Sequence, residues 1–274
     1  MNIQGKTALV TGASRGIGRA IALELAQQGV KRLLLLARDA ARLAEVASLI
    51  SALGVEVVIL ALDVAKPVEV NIALAQAWRD HGPIHLLVNC AGVVHQAPFL
   101  QSQLPHVQEE IAVNLVGMYT ITRLVARRMA AQREGSIVNV SSLMGKVAAP
   151  TMATYSATKF AILGFTQALR GELAAHNIRV IALLPSLTDT DMVRELQWFR
   201  WVVPMTPQRV AQALVAGLHN ESPEILVGWQ SHLAVWCNRI APRLVEKVLL
   251  MAAPLSKDRQ KRHQRLRHAG ATSR

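Results

Sequence analysis

Residues 7 to 18 read Thr-Ala-Leu-Val-Thr-Gly-Ala-Ser-Arg-Gly-Ile-Gly, a short apolar run that passes straight into a glycine-rich turn. The run suits a buried strand, and Ile17, Ile21 and Leu25 then recur at helical spacing, so the turn joins a strand to a helix. Glycines at 12, 16 and 18 let the chain turn sharply, bring its N–H groups close to a phosphate and let the helix pack tightly on the strand. Strand, glycine turn and helix in that order mark a dinucleotide-binding unit, with Gly12, Ser14, Arg15, Gly16, Ile17 and Gly18 as its candidate contacts.

The same alternation continues outward from this unit. Thr7 to Thr11, Arg32 to Ala37, Glu56 to Leu62, Ile84 to Asn89, Ser136 to Ser141, Arg179 to Leu184 and Glu224 to Val227 read as strands. Their apolar runs are continuous, as expected of strands buried on both faces of a parallel sheet. Between them lie helix candidates at Arg19 to Gln28, Ala40 to Ala52, Pro67 to His81, Pro105 to Arg133, Met152 to His176 and Pro207 to Asn220. The expected fold is α/β: a doubly wound, Rossmann-type parallel sheet of about seven strands with helices on both faces. With 51% hydrophobic and 18% charged residues, one catalytic domain over residues 1 to 228 has ample core.

Residues 229 to 255 differ. Leu233, Trp236, Ile240, Leu244, Val248 and Met251 recur at helical spacing beside Arg239, Arg243 and Lys247, and Pro242 interrupts them. This amphipathic extension packs on the domain or a second subunit, or lies on an anionic membrane surface. Residues 256 to 274 hold seven Lys or Arg against one Asp, half of the net charge of +12. They include no aromatic side chain to stack on a base, so a disordered, solvated tail is expected rather than a nucleic-acid site. The start of the chain shows no export signal, no apolar run is long enough to span a bilayer, and Cys90 and Cys237 lie far apart. A cytoplasmic, reducing location follows, with membrane association left open.

At the end of the second strand an NAD-type site places an acidic residue to bind the adenosine ribose. This chain has Ala37 followed by Arg38, and Arg38 with Arg15 could grip a 2′-phosphate. NADP(H) is therefore favoured over NAD(H), the alternative being that Asp39 takes the acidic role. Tyr155 and Lys159 stand four apart in a helical segment, on one face. A nearby ammonium favours phenolate, which would bring the phenol towards proton exchange at neutral pH. The histidines form no HExxH pattern, and Gly82-Pro83 separates His81 from His85, so no catalytic metal is expected.

Taken together, TGASRGIG at 11 to 18, Asp63-Val64, NCAG at 89 to 92, Asn114 in a VNL setting, IVNVSS at 137 to 142 and YSATK at 155 to 159 resemble the classical short-chain dehydrogenase/reductase family. The likeness runs from residue 5 to about 228 in unbroken order. It implies an enzyme moving a hydride between a nicotinamide and a carbonyl or alcohol carbon. By that resemblance Tyr155 is the general acid/base, Lys159 holds the nicotinamide ribose, Ser142 rather than Ser141 hydrogen-bonds the substrate oxygen, and Asn114 anchors a proton relay. Asp63 and Val64 would contact adenine, while Asn89, Ala91 and Gly92 line the cleft. Pro185 begins the turn after the sixth strand, and Thr190, with Thr188 as fallback, reaches the carboxamide. Two departures stand out: Cys90 where Asn is usual, and Ser186 where Gly is usual.

Trp198, Phe199, Trp201, Val202 and Val203 suggest a lid over a small, apolar ketone, aldehyde or acyl substrate. A 3-oxoacyl thioester reductase and a peripheral membrane lipid-carbonyl reductase are the rival enzymatic readings. A non-enzymatic dinucleotide-binding protein is disfavoured by the intact Asn114, Ser142, Tyr155 and Lys159 set. The resemblance also implies a homodimer or homotetramer.

Overall fold

Arg32–Ala37 forms a strand whose side chains alternate between two cores: Leu33 and Leu35 face one, Leu34 and Leu36 the other, all fully buried. That period-two alternation is what an apolar run produces in the middle of a sheet covered on both sides. The computed structural model describes residues 2–194 and 196–254, and the basic tail read at 256 to 274 lies outside them. Seven parallel strands are β1 (Thr7–Thr11), β2 (Arg32–Ala37), β3 (Glu56–Ala61), β4 (Leu86–Asn89), β5 (Gly135–Val140), β6 (Ile178–Leu184) and β7 (Glu224–Leu226). Their order across the sheet is β3-β2-β1-β4-β5-β6-β7.

Helices α1 (Gly16–Gln27), α2 (Ala40–Ser51) and α3 (Pro67–His81) follow the first three strands. Next come α4 (Leu104–Ile111), α5 (Met118–Gln132), α6 (Ala153–Ala174), α7 (Asp191–Arg194) and α8 (Pro207–His219). One core holds Ile21 and Leu25 of α1, Val46 of α2 and Leu214 of α8 against Ala8, Val10, Leu33 and Leu35. The other holds Leu74 of α3 and Ile121 and Val125 of α5 against Leu9, Leu34, Leu36 and Ile137. Each fully buried Leu contributes roughly 2 kcal/mol of transfer free energy. The sheet is thus doubly wound, and it reverses direction between β1 and β4, where such sheets open a crevice.

Three local differences from the sequence reading have physical causes. β3 carries an apolar run, yet Glu56, Ile59 and Ala61 are exposed, because β3 is the sheet's edge and α-helices do not cover both its faces. The single helix expected over 105 to 133 is interrupted by a π-helical turn at Ala112–Gly117. The segment after β7 folds as α9 (Trp229–Ile240) and α10 (Pro242–Ala252), with Pro242 in the first turn of α10, where its missing N–H costs nothing.

Candidate active site

The crevice between the ends of β1 and β4 is drawn together by one hydroxyl. Thr11 Oγ1 accepts from the N–H of Cys90 at 2.9 Å and of Ala91 at 3.0 Å. Gly12, at φ +67°, lies so near that a Cβ there would sit 2.9 Å from Ala91 Cα. A Cβ on Gly18 would run into the Gly12 carbonyl. No side chain caps the N-terminus of α1, so its first N–H groups face the opening, as a pyrophosphate site requires. These bare-backbone approaches fit a dinucleotide, since any side chain would fill the cradle.

A cleft of about 410 Å³ runs along this crevice, lined at its centre by Gly12, Ser14, Gly16, Ile17 and Gly18. Asp63 and Val64 border one end together with Arg15, Arg38 and Arg42. Arg38 is 58% exposed and lies 3.9 Å from Glu109, a loose pairing. Asp39 is occupied differently: it caps α2 by accepting from the Arg42 N–H at 3.0 Å and lies 3.4 Å from Arg42 Nε. Arg42 also reaches Asp191 at 3.4 Å. Sequence reasoning missed Arg42, although its position four residues beyond Arg38, in the first turn of α2, was the available signal.

At the other end Tyr155 and Lys159 line the cleft with Ala91, Gly92 and Thr190. Lys159 Nζ donates to the Val140 carbonyl at 3.0 Å and lies 5.4 Å from the centre of the Tyr155 ring. Ser142 stands beside the Tyr155 phenol and favours its ionised form, and its Oγ accepts from the Met144 N–H at 3.1 Å. Ser141 donates instead to the Lys159 carbonyl at 2.8 Å, so its hydroxyl is committed to holding α6. Asn114 sits in the π turn. Its Oδ1 accepts from Val93 N at 2.9 Å, and its Nδ2 donates to Val93 O at 3.0 Å and to Thr158 Oγ1 at 3.2 Å. A Cβ on Gly92 would lie 3.3 Å from Asn114 Oδ1 and 3.8 Å from Lys159 Nζ, which places these three residues together.

Burial, rather than the lysine, governs the phenol. Partial loss of water pushes Tyr155 up to about 12 against the opposing pull of Ser142, with Glu110 and Cys90 adding to the rise. The same burial pulls Lys159 down to about 8. The expectation that the ammonium makes the phenol more acidic is therefore reversed in the protein alone. Desolvation is the largest cause of the rise, and Lys159 Nζ stands 5.4 Å from the centre of the ring. Burial likewise pushes the Cys90 thiol up to about 12, which leaves it an inert wall residue.

Several candidates do not border the cleft: Asn89, Asn114, Ser142, Pro185 and Thr188. Asn89 is buried and donates to Thr122 Oγ1 and Asn139 Oδ1, both at 2.8 Å, an internal polar link. The Pro185 carbonyl accepts from Leu143 N at 2.8 Å, which fixes the loop carrying Ser142. Thr188 is buried and donates to Ser186 O, whereas Thr190 faces Gly16 across the cleft, 3.1 Å from where a Cβ would stand. Glu110, one turn before Asn114, was not anticipated. It is buried, accepts from His95 N at 2.6 Å through Oε1, and leaves Oε2 without a partner among the described residues.

Residues 6–200 match the family described as short chain dehydrogenase. A 3-oxoacyl-(acyl-carrier-protein) reductase of Aquifex aeolicus is 34% identical over 243 residues, 85% of this chain and 97% of that relative. A short chain dehydrogenase from Burkholderia cenocepacia, solved in complex with NADP, aligns with a TM-score of 0.79 at 29% identity, over 93% of this chain and all of that one. A short chain dehydrogenase/reductase from Burkholderia phymatum, solved in complex with NAD, aligns with a TM-score of 0.82 at 26% identity, over 93% of this chain and 99% of that one.

Proposed function

This chain belongs to the short-chain dehydrogenase family and is an NAD(P)-dependent oxidoreductase, and from that premise we propose that it uses NADP(H) to reduce an apolar ketone or aldehyde. The observation that carries the chemistry is the placement of a half-buried Tyr155, with Ser142 beside it and Lys159 one turn on, in a glycine-walled cleft. A nicotinamide bound in the cleft supplies the hydride. Tyr155 donates its proton to the carbonyl oxygen, and desolvation keeps the phenol protonated at neutral pH until substrate binds. Ser142 donates to the same oxygen as negative charge develops on it. Lys159 orients the ribose, and Asn114 keeps the loop after β4 closed on this end of the cleft through both polar groups of Val93.

Preference for NADP(H) is supported by Arg15, Arg38 and Arg42 around the adenosine end, and by the engagement of Asp39 in capping α2. The apolar substrate is supported by the segment after α7. Gln96 ties it to the loop after β4, accepting from Gln197 N at 2.8 Å and donating to Gln197 O at 3.0 Å. Trp198 donates to Val193 O at 3.0 Å, which places a ring on this flap. Residues 1–228 act as the catalytic domain, with 229–255 as an appended helical unit. Exposed Ile111, Val116, Tyr119 and Phe160 on and around α4 to α6 suit a self-complementary contact, so a homodimer or homotetramer in the cytoplasm is proposed as well.

A second reading, reduction of a 3-oxoacyl thioester, is favoured by the named activity of the Aquifex relative. The test is NADPH and NADH oxidation across ketones, aldehydes, quinones and 3-oxoacyl thioesters, with Arg38→Asp alongside. NADPH-specific turnover of apolar carbonyls is expected, and Arg38→Asp should shift the cofactor ratio towards NADH by roughly tenfold or more. An unchanged ratio, or turnover confined to thioesters, would replace this reading.

A further inference from the structure

Helices α9 and α10 present an apolar surface that the other described residues leave exposed. The inner side of α9 is tied down: buried Ser231 donates to Val227 O at 2.7 Å, and Asn238 donates to Lys146 O at 3.1 Å. Its outer side carries Trp229, Leu233, Trp236 and Ile240 at positions i, i+4, i+7 and i+11, a single stripe, all exposed. Leu244, Val248 and Met251 repeat the pattern on α10 and are exposed too. The two tryptophans are 68% and 62% exposed, which is costly in water and favourable at a lipid headgroup boundary.

Charge accompanies the stripe. At roughly 100° per residue, Arg239 falls beside the α9 stripe, and Arg243 and Lys247 fall beside the α10 stripe on the same flank. All three are exposed, and Glu246 is the only acidic residue of the two helices. Residues 229–274 together hold ten Lys or Arg against two acidic residues. A second copy of the chain docking on this face about a two-fold axis would press like charges together. An anionic bilayer offers an apolar interior to the stripe and opposite charge to its flank.

The surface also adjoins the substrate route. Arg200 N donates to Ala252 O at 2.9 Å, so the flap, which follows the cleft-lining Met192, abuts the end of α10. The flap adds exposed Trp198, Trp201 and Val203 to the same apolar region. We propose that the outer face of α9 and α10 docks on an anionic lipid surface, and that the adjoining flap admits a carbonyl substrate dissolved in that lipid. The docking stands on its own, while the substrate route rests on the apolar-carbonyl reading above.

The test uses the full chain and vesicles of phosphatidylcholine, with and without phosphatidylglycerol. Co-sedimentation is expected with the anionic vesicles and not with the neutral ones. Trp236→Glu with Leu244→Glu, and separately Arg239→Glu with Arg243→Glu and Lys247→Glu, should each weaken binding by roughly tenfold or more. Both variants should oxidise NADPH with a water-soluble ketone at the wild-type rate, which shows that they fold. Equal binding to both vesicle types, undiminished binding by the variants, or light scattering that shows a wild-type oligomer dissociated by these substitutions would overturn the docking. A long-chain ketone carried in anionic vesicles should be reduced faster by the wild type than by either variant. Equal rates with docking intact would overturn the substrate route alone, and failure on every carbonyl would overturn the function reading while leaving the docking in place.

Discussion

Among single residues, Tyr155 and Lys159 show how far chemistry and stability diverge. Tyr155→Phe keeps the ring and removes the proton, so kcat should fall by roughly 10²–10⁴ while NADPH affinity, measured by fluorescence titration, stays within a few-fold. Lys159 is held charged against burial, its pKa drawn from 10.5 down to about 8. Below pH 8 folded and unfolded chains both carry the proton, and the fold bears the full cost. Between about 8 and 10.5 the unfolded chain alone remains protonated, and the cost fades as pH rises. Lys159→Met should therefore abolish turnover yet stabilise the fold at pH 7 by roughly 1–3 kcal/mol, a gain that shrinks towards pH 10.5 in a series of thermal melts. An unchanged melt at pH 7 would contradict the burial account. The pairing of these two side chains was legible from their spacing, but the direction of the phenol's shift was not. Desolvation follows from how the whole fold packs, and Glu110 and Cys90, which add to the rise, come from other segments of the chain.

At the level of elements, apolar runs announced the strands because a residue buried on either face of a central strand must be apolar. The same rule misjudged β3, whose run is apolar although the strand lies at the edge with Ile59 exposed. The π turn was invisible too, since one extra residue in a long helical run leaves no mark in composition and shows only in the hydrogen-bond register. The flap was anticipated as an apolar segment, yet its tether was not, because Gln96 and Gln197 stand 101 positions apart. Gln96→Ala removes both hydrogen bonds, at about 1 kcal/mol each. KM for a bulky apolar ketone should rise by roughly tenfold, with kcat altered less than twofold. A fall in kcat with KM unchanged would mean that Gln96 acts on the chemistry instead of the flap.

For the molecule as a whole, the seven-strand order converts one local motif into a site, because only where β1 and β4 part can a ligand reach bare backbone. A ligand that binds the folded chain alone stabilises all of it by mass action. NADPH at a hundred times its Kd should add about 2.7 kcal/mol, read as a rise in Tm of several degrees for a chain of this size. Gly12→Val forces a side chain onto Ala91 and into a left-handed backbone conformation, and should erase that rise whatever it does to the starting Tm. A full NADPH-induced rise in this variant would place the cofactor elsewhere.

The π turn at Ala112–Gly117 amounts to one surplus residue lodged inside an otherwise continuous α4 to α5 rod. Deleting Leu115 would let the rod close into regular turns and gain local helical order, while swinging the Asn114 amide off Val93 and unlatching the loop beside Gly92. Enzymes assembled this way keep a deliberate flaw in their straightest part, and its repair would cost them their grip on the cleft.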